Sequence, residues 1–249
     1  MDSPYLLETL AEDFWNLAGY GPEGSVDIEA AAGWALPVEI AFQARLHLHH
    51  VAARMPHLGV DATLMGRDRR LRGCLIAYHG KGLILIDAAD PPDEQRFTLA
   101  HELAHFLLDY QRPRQRALAA LGEAILPVLD GARSPTVEER LHAVLTHVPL
   151  GVLHHLMERP DEGLPAGTVL EVEDRADRLA LELLAPARLL LERMVAPSAP
   201  LAFRERLAFL THALVTEKNL PPAKAAAYAR YLLRQQGGPG FRDWLLGTW

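Results

Sequence analysis

Two patterns of apolar and polar positions follow one another along the chain. The first half contains strand-like segments: LPVEIAF (36–42) alternates, and LRGCLIAYHGKGLILID predicts a β-hairpin. The strands of this hairpin are expected near 72–78 and 82–87, with HGKG as the turn. From residue 92 onward the apolar spacing is that of helices. The order predicts an α+β fold with a small antiparallel sheet followed by helices.

Capping residues set the expected helix limits. Ser3 and Gly19 bound an amphipathic helix over 4–18, and Asp27 caps a second, short helix. Pro91-Pro92-Asp93 opens a third helix, expected to run to about Tyr110. Further helices are predicted in RALAALGEAILPVLDG and SPTVEERLHAVLTHV, at 171–184, 187–194, 202–215 and 221–235, with a loop at 163–167.

Composition narrows the class of protein. The 249 residues are 49% apolar and 23% charged, as in ordinary globular domains. The net charge of −7 provides no basic field for nucleic acid, so direct nucleic-acid binding is not expected. One cysteine excludes an internal disulfide framework, the N-terminal segment lacks the pattern of a signal peptide, and no apolar run is long enough to span a membrane. We expect a soluble, cytoplasmic protein.

The helix RFTLAHELAHFLLDY (96–110) carries the candidate chemistry. Residues four apart on a helix project about 40° apart, so His101 and His105 can reach one metal ion, with Glu102 beside them. Zn²⁺ at such a site lowers the pKa of a bound water and polarises a carbonyl, while the glutamate takes the proton and delivers it to the leaving amine. The alternative is a helix with two satisfied core histidines. Three ionisable groups buried without a shared partner would be costly, which favours the metal site.

A catalytic zinc site needs a third protein ligand. The segment EVEDRADRLALELLAP offers Glu171, Glu173, Asp174 and Asp177. Helical phase places Glu173 and Asp177 within the apolar stripe, and Glu171, Asp174, Arg175 and Glu182 on the solvated side. Glu173 is therefore predicted as the third ligand, and Asp177 as the hydrogen-bond partner of the far nitrogen of a zinc-bound histidine. The alternatives are an ordinary helix charge for Glu173 and a local salt bridge with Arg175 or Arg178 for Asp177.

These motifs resemble the ImmA/IrrE family of metallopeptidases. RFTLAHELAHFLL and EDRADRLALELLAP carry the likeness, together with the upstream VDIEAAAGWALPVEI, and it covers residues 25–110 and 170–190. The resemblance implies a zincin-like minimal catalytic domain in which His101, His105 and Glu173 bind zinc and Glu102 is the catalytic base. Proteins of this family cleave transcriptional repressors, which triggers a stress response or releases a mobile element.

The chain departs from that family in two places. The gap between His105 and Glu173 is longer than usual, which predicts a helical insertion at 113–165. An N-terminal repressor-like helix-turn-helix is not evident, and residues 214–233, although similar to one, have few basic residues, which favours a packed helical hairpin. The predicted organisation is a metallopeptidase domain at 1–195, including the insertion, and a C-terminal helical subdomain at 196–249.

Three functions compete. The first is a zinc endopeptidase that cuts a protein partner, a DNA-binding regulator by the resemblance, with substrate extended along the edge of the 72–87 hairpin. Tyr78, His79 and Tyr110 are candidate donors to the oxyanion. The second is a catalytically silent metal-binding protein that acts by protein–protein interaction, and the third and weakest is a DNA-binding regulator. Manganese or iron would also suit two histidines and a glutamate.

Overall fold

The computed structural model describes residues 4–21, 27–58, 67–159, 167–194 and 203–236. The strands are β1 (Val38–Gln43), β2 (Leu71–Tyr78), β3 (Lys81–Asp87) and β4 (Leu153–Glu158). The helices are α1 (Pro4–Leu17), α2 (Ile28–Ala35), α3 (Leu48–Ala52), α4 (Pro92–His105), α5 (Arg112–Leu121), α6 (Leu126–Leu129), α7 (Val137–Thr146), α8 (Gly167–Leu184), α9 (Ala187–Met194), α10 (Phe203–Thr216) and α11 (Pro222–Gln235). The predicted α+β class is confirmed.

The four strands form one mixed sheet in the order β1-β3-β2-β4. The predicted hairpin is present, with Tyr78 opposite Lys81, and β4 pairs antiparallel with the outer side of β2. The expectation of a wholly antiparallel sheet needs correction, because β1 pairs parallel with β3. Since β2 runs back from the end at which β1 finishes, the returning β3 has the direction of β1.

The insertion at 113–165 is not wholly helical, in contrast to the prediction. It contains α6, α7 and most of α5, but it also supplies the edge strand β4, and its residues 160–165 lie outside the described part of the chain. The segment LHHLME alternates between two faces: Leu153 and Met157 pack on the main core, and Leu156 packs on a second apolar cluster. As a result β4 covers the hairpin edge on which we expected substrate to lie, and β1 covers the other.

The helical path that begins with the motif helix α4 continues further than predicted. A π-helical turn at Phe106–Gln111 follows α4 and leads directly into α5, so the helical path continues past Tyr110 and Pro113. Pro113 lies in the first turn of α5, directly after the π-helical turn. In the π turn the N–H of Arg112 donates to the carbonyl of Leu107, five residues back.

The motif helix lies inside the molecule, between the sheet and α8. All residues of α4 from Phe97 to His105 are buried. The main core also contains residues of α1, α2, α8, α10 and α11, and the indole of Trp15 donates to the carbonyl of Leu183 at 3.1 Å. The predicted domain boundary at 195/196 lies outside the described residues, and the division stays a prediction. Helices on both sides of it contribute to this core.

A search of the described ranges for membrane-spanning helices finds none with the necessary length and apolar content.

Candidate metal centre

Three separate elements bring four side chains together at one point. His101 and His105 come from α4, Glu173 from α8 and His155 from β4, and one potential ligand atom of each lies within 4.8 Å of the others. The two α4 histidines approach through their Nε2 atoms at 3.1 Å. The Glu173 carboxylate lies 3.2 Å from Nε2 of His101 and 3.7 Å from Nε2 of His105.

A carboxylate orients each α4 histidine from behind. His101 Nδ1 lies 2.9 Å from Oδ1 of Asp177, and His105 Nδ1 lies 2.7 Å from Oδ2 of Asp109. Lys224 on α11 donates to Asp177 at 2.5 Å, and Arg175 on α8 forms an ion pair with Asp109. In the neutral imidazoles these contacts place the proton on Nδ1 and leave the lone pair on Nε2.

The donor set fits a divalent metal ion. The Nε2 atoms of His101 and His105 lie 3.1 Å apart, close enough for one ion to bind both. The Glu173 carboxylate supplies negative charge beside them, and Asp109 and Asp177 lie where hydrogen-bond partners of metal-ligating histidines are found. Imidazole nitrogen and carboxylate oxygen are ligands of Zn²⁺ and of other divalent transition metals.

Glu102 is fully buried beside the cluster. Its Oε2 lies 2.9 Å from Nδ1 of His155, and its buried Oε1 has no hydrogen-bond partner. A buried carboxylate with an unsatisfied oxygen is costly unless a further polar group, such as a reacting water, occupies the site. Gly73 on β2 lies beside it, since a Cβ at that position would be 3.0 Å from Oε1.

His155 is the fourth member of the cluster and bridges two carboxylates. Its Nδ1 faces Glu102, its Nε2 lies 3.0 Å from Oε1 of Glu173, and its ring stacks on that of His105 with centroids 3.6 Å apart. Burial by itself lowers the pKa of His155, but the charge of Glu102 and hydrogen bonds to Glu102 and Glu173 raise it to about 10. Without a metal the site therefore holds His155 as a cation.

The pKa values of Glu173 and Asp177, the two α8 carboxylates at the cluster, are lowered. Burial acts to raise the pKa of Glu173, but hydrogen bonds from His101, His105 and His155 outweigh it and hold that pKa well below its usual range. The pKa of Asp177 is likewise lowered, because the hydrogen bond to His101 and the charge of Lys224 exceed the effect of burial. Both groups are thus charged, as metal ligation and histidine orientation require.

A cleft of about 660 Å³ opens beside the cluster. It lies between the π-helical turn, the start of α8 and the insertion, and its lining includes His105, Asp109, Arg116, Val148, Glu173 and Arg175. The predicted oxyanion donors do not line it. Tyr78 and His79 stack at the hairpin turn, and the buried Tyr110 hydroxyl accepts a hydrogen bond from the N–H of Gly80 at 2.7 Å. Their assignment gains no support from this geometry.

The prediction of which polar α8 side chains face solvent is correct at most positions and wrong at two, Glu182 and Arg175. Glu171 and Asp174 are exposed, while Glu173 and Asp177 face the cluster. Glu182, predicted on the solvated side, is buried and accepts a hydrogen bond from Tyr228 at 2.8 Å. Arg175 is turned towards Asp109. Packing of α1 and α11 against α8 buries more of its circumference than one apolar stripe indicates.

A second histidine group lies in RLHLHH. Nδ1 of His49 lies 2.9 Å and Nδ1 of His47 3.3 Å from the same oxygen of Asp68. His50 Nδ1 accepts from the N–H of His47, which caps the short helix α3. Histidines at this spacing suit a metal patch and equally a strand end or loop. The contacts close a loop at the bridge between His47 and Arg70, and His47, His49 and Asp68 also lie close enough together to hold an ion.

Sequence reasoning missed His155 and Asp109. Asp109 follows His105 by four residues, a spacing that places both side chains on one helix face and would have identified it. The alternation in LHHLME would have placed Leu153, His155 and Met157 on one strand face. The prediction of a helical insertion at 113–165 is incompatible with that alternation.

The fold and the cluster together define a zincin-like domain: an α+β fold in which a buried helix offers two histidines and a later helix offers a glutamate. Residues 62–125 match the family model of the IrrE N-terminal-like domain, a peptidase family. The resemblance to ImmA/IrrE metallopeptidases is thereby confirmed for the segment that contains the motif helix. No curated protein matches the chain.

Proposed function

We propose that the protein is a metal-dependent endopeptidase with Glu102 as its general base. The observation that carries the proposal is the close approach of the Nε2 atoms of His101 and His105 beside Glu173, with Glu102 buried next to them. The match of residues 62–125 to a peptidase family supports the same reaction class. Membership of that class implies a protein or peptide substrate.

The roles follow from the positions of the side chains. His101, His105 and Glu173 would hold the metal, and Asp177 and Asp109 would keep the two imidazoles in the ligating tautomer. A metal held there supplies a Lewis acid that activates water and polarises a peptide carbonyl. Glu102 takes the proton from the attacking water and delivers it to the leaving amine. Lys224 and Arg175 form ion pairs with the two orienting carboxylates.

We further propose zinc as the metal and a DNA-binding regulator as the substrate. Zinc is supported by the ligand chemistry, two imidazoles and one carboxylate, which is common in zinc peptidases. The regulator is supported by the family resemblance, in which repressor cleavage triggers a stress response or releases a mobile element. The acidic net charge of −7 favours action on the regulator itself over contact with its DNA.

The substitution Glu102→Gln tests this proposal. It removes the base and preserves the ligands, so we expect unchanged metal content and a loss of cleavage of about 100-fold or more. The measurement is the number of new N-termini that appear in a soluble extract of the source cells after incubation with metal-loaded protein. Mass spectrometry of labelled termini gives that number for the parent, for Glu102→Gln and for a chelated control.

Three outcomes are informative. New termini that depend on the metal and disappear in Glu102→Gln support the peptidase. Metal-dependent cleavage that persists undiminished in Glu102→Gln would refute the role of Glu102, and cleavage that persists undiminished in the chelated sample would refute the metal.

A further inference from the structure

We propose that His155 is a fourth metal ligand supplied by the insertion, and that it holds the peptidase latent until strand β4 withdraws. The latency rests on the proposed function, whereas the ligation does not. The inference starts from the position of His155 between the base and the third ligand, with one ring nitrogen 2.9 Å from Glu102 and the other 3.0 Å from Glu173.

His155 belongs to the ligand cluster by geometry. One of its ring nitrogens lies with one ring nitrogen each of His101 and His105 and with a carboxylate oxygen of Glu173, all within 4.8 Å of one another. Its ring stacks on that of His105 with an angle of 23° between the planes, so joint ligation requires the His155 ring to turn out of this stack. Three imidazoles and one carboxylate would provide four protein ligands, as in closed sites, whereas catalytic zinc sites keep one position open.

The His155 side chain also contacts the proposed general base, Glu102. Nδ1 of a ligating histidine commonly donates to a carboxylate behind it, and Glu102 is in that place for His155. Glu102 can then accept no proton from a water between itself and the metal, because the imidazole fills that space. One residue therefore removes both requirements for hydrolysis, the open position and the free base.

Strand β4 lies at the edge of the sheet, whereas the other three ligands lie on α4 and α8. Within the described ranges it pairs only with β2, at the edge of the sheet, and a register irregularity interrupts that pairing between Leu71 and Gly73. The His155 side chain is 16% exposed, against 2% for each α4 histidine. The hairpin stays paired with β1 and α4 stays packed on α8 when β4 moves away, so the His₂Glu set would remain.

X-ray absorption spectroscopy of the zinc-loaded full chain tests the ligation directly. We expect three imidazoles in the parent and two in His155→Ala, with a zinc dissociation constant raised about tenfold or more in chelator competition. His154→Ala is the matched control, because it removes the neighbouring histidine on the exposed side of the strand. It should leave the imidazole count and the dissociation constant unchanged. Two imidazoles in the parent would overturn the proposal, whether or not the protein cleaves anything.

Cleavage measured in parallel tests the latency. We expect His155→Ala to produce new N-termini at least about tenfold faster than the parent, since it frees one metal position and the base. His155→Phe keeps the ring stacked on His105 without a ligating nitrogen and controls for loss of β4 packing. Slower cleavage by both variants than by the parent would make His155 a catalytic residue and overturn the latch. The double variant Glu102→Gln/His155→Ala separates the two proposals: if it cleaves as fast as His155→Ala, the base assignment fails and the spectroscopic result stands.

Discussion

Glu182 shows how one buried carboxyl group can change the pH dependence of the molecule. It accepts hydrogen bonds from the N–H of Ala187 at 3.0 Å and from the hydroxyl of Tyr228 at 2.8 Å, while that hydroxyl also reaches the carbonyl of Ala185. A phenol has one proton, so both contacts of Tyr228 are satisfied together when Glu182 is protonated and donates. Burial raises the pKa of Glu182 to about 7, against the hydrogen bonds from Ala187 and Tyr228, which lower it.

The free energy of unfolding should therefore fall as the pH rises from about 4.5 to above 7. The folded state keeps the proton of Glu182 up to pH about 7, while the unfolded chain releases it near its ordinary pKa of 4.5. The folded state thus binds more protons across this window, and the lost stability amounts to about 3 kcal/mol. Glu182→Gln should remove this decline, as measured by urea denaturation from pH 5 to 8, with the exposed Glu123→Gln as control. Identical pH profiles for the parent and Glu182→Gln would contradict the assignment.

The metal cluster shows which residues a sequence can identify and which it cannot. His101, Glu102 and His105 are predictable because helix periodicity fixes their relative directions within five residues. Glu173 and Asp177 are predictable as candidates because carboxylates on an apolar stripe need a partner, although only the fold brings them to α4. His155 depends on the pairing of β4 with β2, and the register of a strand more than 70 residues away is not written in local sequence.

The close contact between Gly73 on β2 and the helix α4 determines the position of Glu102, the proposed general base. Gly73 lets the strand approach the helix so closely that a Cβ there would lie 2.5 Å from Cγ2 of Thr98 and 3.0 Å from Oε1 of Glu102. Thr98 and Glu102 are four apart and share this helix face. The glycine is required for close approach of two elements.

Gly73→Ala should destabilise the protein by about 1–3 kcal/mol, because the added methyl group overpacks a buried contact between two rigid elements. It should also slow cleavage, since relief of the clash moves Glu102. Chemical denaturation and the assay of new N-termini measure the two effects. Gly33→Ala is the control: this glycine is exposed within α2 with open space around its Cβ position, and alanine there should add up to about 1 kcal/mol. Equal stability of Gly73→Ala and the parent would show that the strand can shift freely.

The boundaries of helices and strands agree with the prediction where local sequence determines them. They differ from it where tertiary packing determines them. The Asp27 side chain caps α2 at the N–H of Ala30 as predicted, and Thr136 with Glu139 forms the capping box of α7. The π-helical turn after α4 was not predictable, because Pro113 is a stop signal in isolation, whereas here it lies in the first turn of α5, directly after the π-helical turn. The parallel pairing of β1 likewise depends on the whole sheet.

The metal centre connects distant parts of the chain. Its candidate ligands come from α4, β4 and α8, and Lys224 on α11 contacts Asp177 behind His101. These side chains meet only when α4, β4 and α8 are packed together as in the folded chain. A metal ion that binds only the folded arrangement would therefore stabilise the whole molecule.

Removal of the metal should lower the melting temperature, because the folded state then loses the binding free energy of the metal. Binding to the folded state alone adds about 2.7 kcal/mol at a free metal concentration of 100 times the dissociation constant, so the melting temperature should rise with added zinc and fall on chelation. Glu173→Ala should lose most of this dependence, because it removes the only carboxylate of the described cluster. Glu171→Ala, an exposed position two residues earlier on α8, should keep the full dependence. Calorimetry at several zinc concentrations makes the comparison. A Glu173→Ala variant that retains both the metal and the full rise in melting temperature would exclude Glu173 as a ligand, and the carboxylate at the centre would then have only an orienting role.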